Sequence, residues 1–239
     1  MIPKTIHYCW FGRNEKPKLM KKCIASWRRY CPDYEIIEWN EDNFDISQHP
    51  YLQWCYEHQK WAFLSDFARL IILSEHGGIY LDTDVEVVRP LDDLLEYDAF
   101  FGFESDSYIN TGIGFGGMAH HPTMEAMKRV YEEFKPDEKG AYPVASCPQF
   151  NTQALMPFDL ILNGQRQTVC GAEILPTDYL NPYDDPTGML RITSHTYSIH
   201  WYGKSWLSKG AILKSQLMKP MHRLLGTDFM LFRMMRKHG

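Results

Sequence analysis

One stretch constrains this chain more than any other: Gly77-Gly78-Ile79-Tyr80-Leu81-Asp82-Thr83-Asp84-Val85. A short apolar run bounded by glycines on one side and carboxylates on the other is the pattern of a strand buried in a sheet. Residues two apart in extended chain point to the same side, so Asp82 and Asp84 are expected to present their carboxylates together. The carboxyl end of such a strand is where open α/β sheets bind ligands. Two adjacent carboxylates with no Arg or Lys between them repel unless a cation fills the gap. Hard divalent ions such as Mg²⁺ or Mn²⁺ take oxygen ligands and share them with substrate phosphates. A solvated acidic turn is the competing reading, and the apolar lead-in and glycines weigh against it. Aspartyl-phosphate phosphatases also place Asp-x-Asp after an apolar strand, but with Thr or Val two positions beyond the second Asp. Here Glu86 stands at that position and the strand is far from the N-terminus. That reading fails.

The remaining periodicity supplies the layers. Thr5 to Trp10 and Tyr34 to Trp39 read as strands, and Leu19, Met20, Cys23, Ile24, Trp27 and Tyr30 recur at helical spacing over roughly 17–30. Tyr51 to His76 reads as one long helix stopped by Gly77-Gly78. Ala99 to Phe103 and Ile109 to Gly117 read as strands, Pro122 to Phe134 as a helix, and the chain past Tyr142 as Pro-rich and irregular. Strands alternating with helices indicate an α/β layer fold with a mostly parallel sheet. With 239 residues, 44% hydrophobic and 23% charged, the chain fits one domain with an appendage, not a disordered, collagen-like or disulfide-stapled protein. Residues 209–239 hold seven basic residues and one acidic one, a net +6 that leaves −11 on the rest. This asymmetry predicts a domain over 1–208 and a basic tail over 209–239, and it speaks against a nucleic-acid-binding body. The six cysteines form no Cys-x-x-Cys pair and read as reduced, mostly buried thiols. Met1-Ile2-Pro3-Lys4 lacks a signal-peptide stretch and no window spans a bilayer, so the expectation is a cytoplasmic protein.

Ser65-Asp66-Phe67-Ala68-Arg69 places Asp66 and Arg69 one turn apart on a helix face. Alone, that is an ordinary i,i+3 ion pair worth a few tenths of a kcal/mol. Taken together, Ile2-Pro3-Lys4-Thr5-Ile6-His7-Tyr8-Cys9-Trp10-Phe11-Gly12, Ser65 to Arg69, Gly77 to Asp84, and Ser198-Ile199-His200-Trp201-Tyr202-Gly203-Lys204-Ser205-Trp206 resemble glycosyltransferase family 32. That family includes fungal α-mannosyltransferases and bacterial capsule and lipopolysaccharide enzymes, and the glucosylating domains of large clostridial toxins are related to it. The resemblance spans Met1 to Trp206 in four ordered motifs. It implies a GT-A (Rossmann-like) nucleotide-sugar-binding sheet with flanking helices, a divalent metal (Mn²⁺ or Mg²⁺), a nucleotide-sugar donor and retention of anomeric configuration.

Carried over residue by residue, the resemblance has Trp10 stacking on the nucleotide base, against the alternative of a core tryptophan. It has Asp66 and Arg69 hydrogen-bonding the donor sugar, which reverses the plain ion-pair reading. Asp82 would meet ribose or sugar hydroxyls and the metal, Asp84 would bind the metal directly, and His200 would be the third metal ligand. His195, five residues away, is its rival. Ser205 and Trp206 would contact the diphosphate. Asn110, within Ile109 to Gly116, resembles an Asn beside the donor sugar, although the glycines there serve strand packing equally well. Ser146 to Asn151 stands where the family has Gly-Pro, with Cys147 replacing the Gly, so Gln149 and Asn151 are doubtful carry-overs.

The implied activity is metal-dependent hexose transfer, with a UDP-sugar favoured as donor, to a glycan or lipid-linked oligosaccharide acceptor in surface polysaccharide synthesis. A retaining enzyme of this kind needs no dedicated protein base; an inverting one would, with Glu104 or Asp106 as weak candidates. The alternatives are a binding protein without turnover and a nucleotide-sugar hydrolase. In the tail, Leu213, Leu217, Met218, Met221, Leu224 and Leu225 recur at helical spacing, and Pro220 and Gly226 are expected to break the run into short helices. A basic amphipathic segment of this sort fits peripheral attachment to an anionic membrane on the inner face of the cell membrane, or packing on the catalytic body.

Overall fold

The computed structural model describes residues 1–144, 146–203 and 209–226. In chain order it comprises β1 (Thr5–Cys9), α1 (Lys18–Tyr30), β2 (Glu35–Trp39), α2 (Pro50–Glu57), α3 (Trp61–His76), β3 (Gly78–Tyr80), β4 (Val85–Val87), β5 (Ala99–Ser105), β6 (Tyr108–Ile109) and β7 (Phe115–Gly117). There follow α4 (Pro122–Glu132), α5 (Cys147–Leu155), β8 (Gln167–Val169), β9 (Ala172–Leu175), α6 (Thr177–Leu180), β10 (Tyr183–Asp184), β11 (Met189–Leu190), β12 (Ser198–His200) and α7 (Lys209–Leu225). The main sheet runs β2-β1-β3-β7-β5-β9-β8, with β6 on β5. β1 pairs in parallel with β2 and β3, and β5 with β9. The antiparallel β7 lies between β3 and β5 and restores their common direction. The α/β architecture with flanking helices expected from the sequence is present, and its sheet is mixed, mostly parallel.

Packing, not local propensity, holds the helices. α1 has Pro17 at its N-cap and no side-chain capping bond, but it buries Met20, Cys23, Ile24 and Trp27 on one face. Full burial of such side chains contributes roughly 1.5–3 kcal/mol each, against about 1 kcal/mol for a missing cap. The Trp27 indole also donates to the Val85 carbonyl at 2.8 Å, tying α1 to β4. α3 is buried over Leu64, Phe67, Ala68, Arg69, Leu70, Ile71, Ile72 and Leu73, so its apolar residues form the centre of the larger core, with the buried Arg69 on the same helix.

Four expectations are corrected. The single helix over Tyr51 to His76 is two, because Gln59 adopts a left-handed φ of 54° between α2 and α3; the apolar period runs through the break and hides it. The single strand over Ile109 to Gly117 is interrupted by a 3₁₀ turn at Thr111–Ile113. The segment past Tyr142 is not irregular throughout, since α5 and the β8–β9 pair fall there. Pro220 does not break the tail helix. α7 runs through it and ends before Gly226, whose φ is 78°. All six cysteines are free, five of them buried.

Candidate active site

Sheet polarity collects the site. Trp10 follows β1, Asp82 follows β3, and Glu104 lies near the end of β5. β7 runs the other way with Phe115 opposite Tyr80, so the segment before it, Asn110 to Gly114, reaches the same edge. Asp82 and Asp84 do not lie on extended chain. The Val85 N–H donates to the Asp82 carbonyl at 3.0 Å, closing a turn. The turn still brings the carboxylates together, and β12, antiparallel to β4 with His200 opposite Val85, adds the imidazole. One ligand atom from each of Asp82, Asp84 and His200 lies within 4.8 Å of the others. His195 is remote and exposed, its Nδ1 3.6 Å from Asp178. Ser205 and Trp206 lie outside the described residues.

The carboxylates are not without cationic partners, contrary to expectation. Arg69, reaching across from α3, places Nη2 3.0 Å from Asp82 Oδ1 and 2.9 Å from Asp66 Oδ1, so one buried guanidinium bridges two carboxylates. Asp84 is not a surface carboxylate either. Its side chain is 14% exposed, stands 3.3 Å from His200 Nε2, and accepts the Gly203 N–H at 2.6 Å. Burial pushes the Asp66 carboxyl up to about 6, with Arg69 opposing and Asp82 reinforcing the rise. Burial likewise raises Asp82, against Arg69. At Asp84 burial pushes upward but is outweighed by His200 and the Gly203 N–H, leaving the carboxyl at about 2. Burial lowers the His200 imidazole, and Asp84 more than reverses it, for a net rise.

Gly112 and Tyr202 contribute to the site without having been given a role in the sequence reading, and they meet residues that were. Gly112 has no side chain where a Cβ would stand 2.7 Å from Asp82 Oδ2 and 3.0 Å from Asn110 Oδ1, so only glycine lets these groups meet. Asn110 is turned to protein at both ends: Oδ1 accepts the Gly112 N–H at 2.6 Å and the Cys147 thiol at 3.2 Å, while Nδ2 donates to Glu104 at 3.2 Å. Asn151 Oδ1 accepts from the Thr111 N–H and hydroxyl at 3.1 and 3.0 Å. Gln149 is exposed on α5. Tyr202, with φ 49°, donates to Glu104 at 3.1 Å and lays its ring 4.1 Å from that of His200. Asp106 approaches Gly164 in the neighbouring loop. Trp10 is half-buried, its indole donating to the Asn14 carbonyl at 2.7 Å and the Lys16 ammonium 5.3 Å from its ring.

Two oxygen donors and an imidazole suit a divalent cation, and His200 Nδ1 is buried with no hydrogen-bond partner. The residues fit such an ion. An α/β sheet carrying this cluster at its carboxyl edge has its candidate metal site where open α/β sheets bind ligands. Residues 17–101, which contain α1, α3 and the Asp82–Asp84 turn, match the family described as glycosyltransferase sugar-binding region containing DXD motif. The chain is 33% identical over 141 residues to inositol phosphoceramide mannosyltransferase 3 of Schizosaccharomyces pombe, covering 56% of this chain and 38% of that one. It is 29% identical over 135 residues to mannosyl phosphorylinositol ceramide synthase SUR1 of Saccharomyces cerevisiae, covering 54% and 35%. These matches span little more than a third of each relative's length. Among solved structures, the PaToxG glycosyltransferase aligns with TM-score 0.47 and 21% identity over 65% of this chain and 69% of that one.

Proposed function

We propose that the chain is a metal-dependent retaining glycosyltransferase. It moves a hexose from a nucleotide-sugar, with a UDP-sugar favoured, to a glycan or lipid-linked acceptor in surface polysaccharide synthesis. The observation that carries this is the convergence of Asp82, Asp84 and His200 within 4.8 Å, beside a buried Arg69. Asp82, Asp84 and His200 would hold Mn²⁺ or Mg²⁺, which supplies charge neutralisation for the leaving diphosphate. Arg69 and Asp66 orient the donor sugar. Arg69 is already fixed by two carboxylates, so it binds without further ordering cost. Trp10, half-buried beside Lys16, receives the base on its ring. Asn110 supports this wall of the site through Gly112 and Glu104, and Ser205 and Trp206 complete the diphosphate contacts. A lipid-linked acceptor is supported by the names of the two yeast relatives, which specify phosphoinositol ceramides.

Calorimetry of UDP, GDP and their sugars with Mn²⁺, followed by transfer and plain donor hydrolysis assays, tests the reading. Mn²⁺-dependent binding of one base and transfer exceeding hydrolysis are expected. Binding without turnover, or hydrolysis alone, selects one of the alternatives. Peripheral attachment to the inner face of the cell membrane through residues 209–239 belongs to the same reading. Leu213, Leu217, Leu224 and Leu225 are exposed on α7, and no helix among the described residues is long and apolar enough to cross a membrane. Co-sedimentation with anionic vesicles should fall with salt and on truncation after Ser208; binding unchanged by truncation would refute it.

A further inference from the structure

The basic residues of α7 are not all turned outward as the tail's composition suggests. The Lys219 ammonium donates to the Tyr183 hydroxyl at 2.6 Å, stands 3.3 Å from Asp185 Oδ1 and lies 5.1 Å from the Tyr183 ring centre. Arg223 Nε donates to the Thr187 carbonyl at 2.6 Å and Nη2 to the Gly188 carbonyl at 3.1 Å. His222 Nδ1 stands 3.0 Å from the Pro186 carbonyl. The helix therefore grips the turn of the β10–β11 hairpin. Gly188 has a φ of 66° and would place a Cβ 2.9 Å from the Lys219 stem, so the turn is shaped to the helix.

The gripped hairpin in turn backs the site. The Tyr183 ring packs 5.3 Å from Trp201 and 6.4 Å from Tyr202. Those two residues follow His200 directly and hold its strap in place. The Trp201 N–H donates to the Asp84 carbonyl at 3.0 Å, its indole to Glu86 at 2.8 Å, and the Tyr202 hydroxyl to Glu104. The Gly203 N–H ends the strap on Asp84 Oδ2. A continuous line of contacts thus runs from Lys219 through Tyr183 to the backbone that sets His200 against Asp84.

We propose that α7 is a clamp on the candidate active site and that Lys219 and Tyr183 are positioning residues for His200 and Asp84. The tail helix is then part of the transferring unit instead of a separable appendage. The functional consequence rests on the metal reading above, whereas the clamp itself rests on these contacts alone. Native-state hydrogen exchange on the full chain separates the two. In Lys219→Met and in Tyr183→Phe, exchange at the Trp201 and Gly203 amides should rise about tenfold, the scale set by losing one hydrogen bond to a charged group. Exchange at Leu73 and Ile79 in the core, and the urea midpoint, should stay at wild-type values. Lys214→Met, an exposed change on the same helix, should leave Trp201 and Gly203 as they are. Mn²⁺ affinity by calorimetry should fall several-fold in the first two variants only. Unchanged exchange at Trp201 and Gly203, or an equal rise at the core amides, overturns the clamp. If wild-type protein binds no Mn²⁺, the metal reading fails and exchange alone judges the clamp.

Discussion

On the proposed reading Asp84 has two functions that a single substitution must keep apart. Its carboxylate would be a metal ligand, and it also accepts the Gly203 N–H. Asp84→Asn keeps an acceptor for that N–H while removing the charge that a hard cation requires. We expect Mn²⁺-dependent donor binding to vanish in calorimetry while the thermal midpoint moves by only a few degrees, the scale of about 1 kcal/mol in a chain of this size. Full transfer by this variant, or transfer undiminished in EDTA, contradicts the role. The same scale separates the histidines. His200→Ala should weaken Mn²⁺ binding by more than about tenfold, exceeding the usual outer-sphere effect at its lower limit, and His195→Ala should leave it unchanged. Imidazole must be deprotonated to bind the ion, so Mn²⁺ affinity should fall as the solution is acidified. Equal Mn²⁺ titrations for the two alanine variants would refute the assignment. The sequence resemblance named His200 as the candidate third ligand. Its pairing with Asp84 depends on the β12–β4 register.

At the element scale, β3 is only three residues long and is made possible by close backbone approach. Gly78 has a φ of 101°, and a Cβ there would stand 2.8 Å from the Thr5 carbonyl oxygen and 2.9 Å from His7 Nε2. Gly78→Ala combines a disfavoured backbone with a clash against the neighbouring strand, so it should cost about 2 kcal/mol or more. Urea unfolding checks this; a loss below about 0.5 kcal/mol, the range of ordinary surface changes, would show that the strand relaxes freely. The glycines read as a helix stop and strand lead-in, and both functions hold: the Gly77 N–H donates to the Leu73 carbonyl at 2.9 Å. Periodicity could not show the break at Gln59, because apolar residues on either side keep helical spacing while one residue turns left-handed. Nor could it show that α7 continues through Pro220, where side-chain ties to a distant hairpin hold the helix around the proline.

Across the whole molecule, acid stability offers a test that does not depend on ligands. Burial, with a smaller contribution from His76, lowers His7 to about 4, while its Nδ1 accepts the Trp39 indole N–H at 3.0 Å. The unfolded chain has a histidine of ordinary pKa near 6.5, so below that value it binds a proton that the folded chain refuses. Stability from this group is therefore complete above about pH 6.5 and is lost as pH falls toward 4, by up to about 3 kcal/mol. His7→Asn preserves an acceptor for Trp39 and removes the titration. Its unfolding free energy should be flatter between pH 6.5 and 5 than that of wild type, measured by urea titration at each pH. Identical slopes would mean that His7 does not titrate differently in the two states. By itself, the sequence determined the alternation of strands and helices, the apolar strand leading to Asp82 and Asp84, and the resemblance carried by the motifs around Asp66, Arg69 and His200, because these are local patterns of side-chain type. Only the tertiary structure decided which charges meet: that Arg69 joins Asp66 to Asp82, that Gly203 closes on Asp84 across 119 residues, and that the basic tail helix turns Lys219 and Arg223 onto the β10–β11 hairpin. Those partnerships depend on strand order and direction, on desolvation, and on a left-handed Tyr202, none of which leaves a periodic trace along the chain.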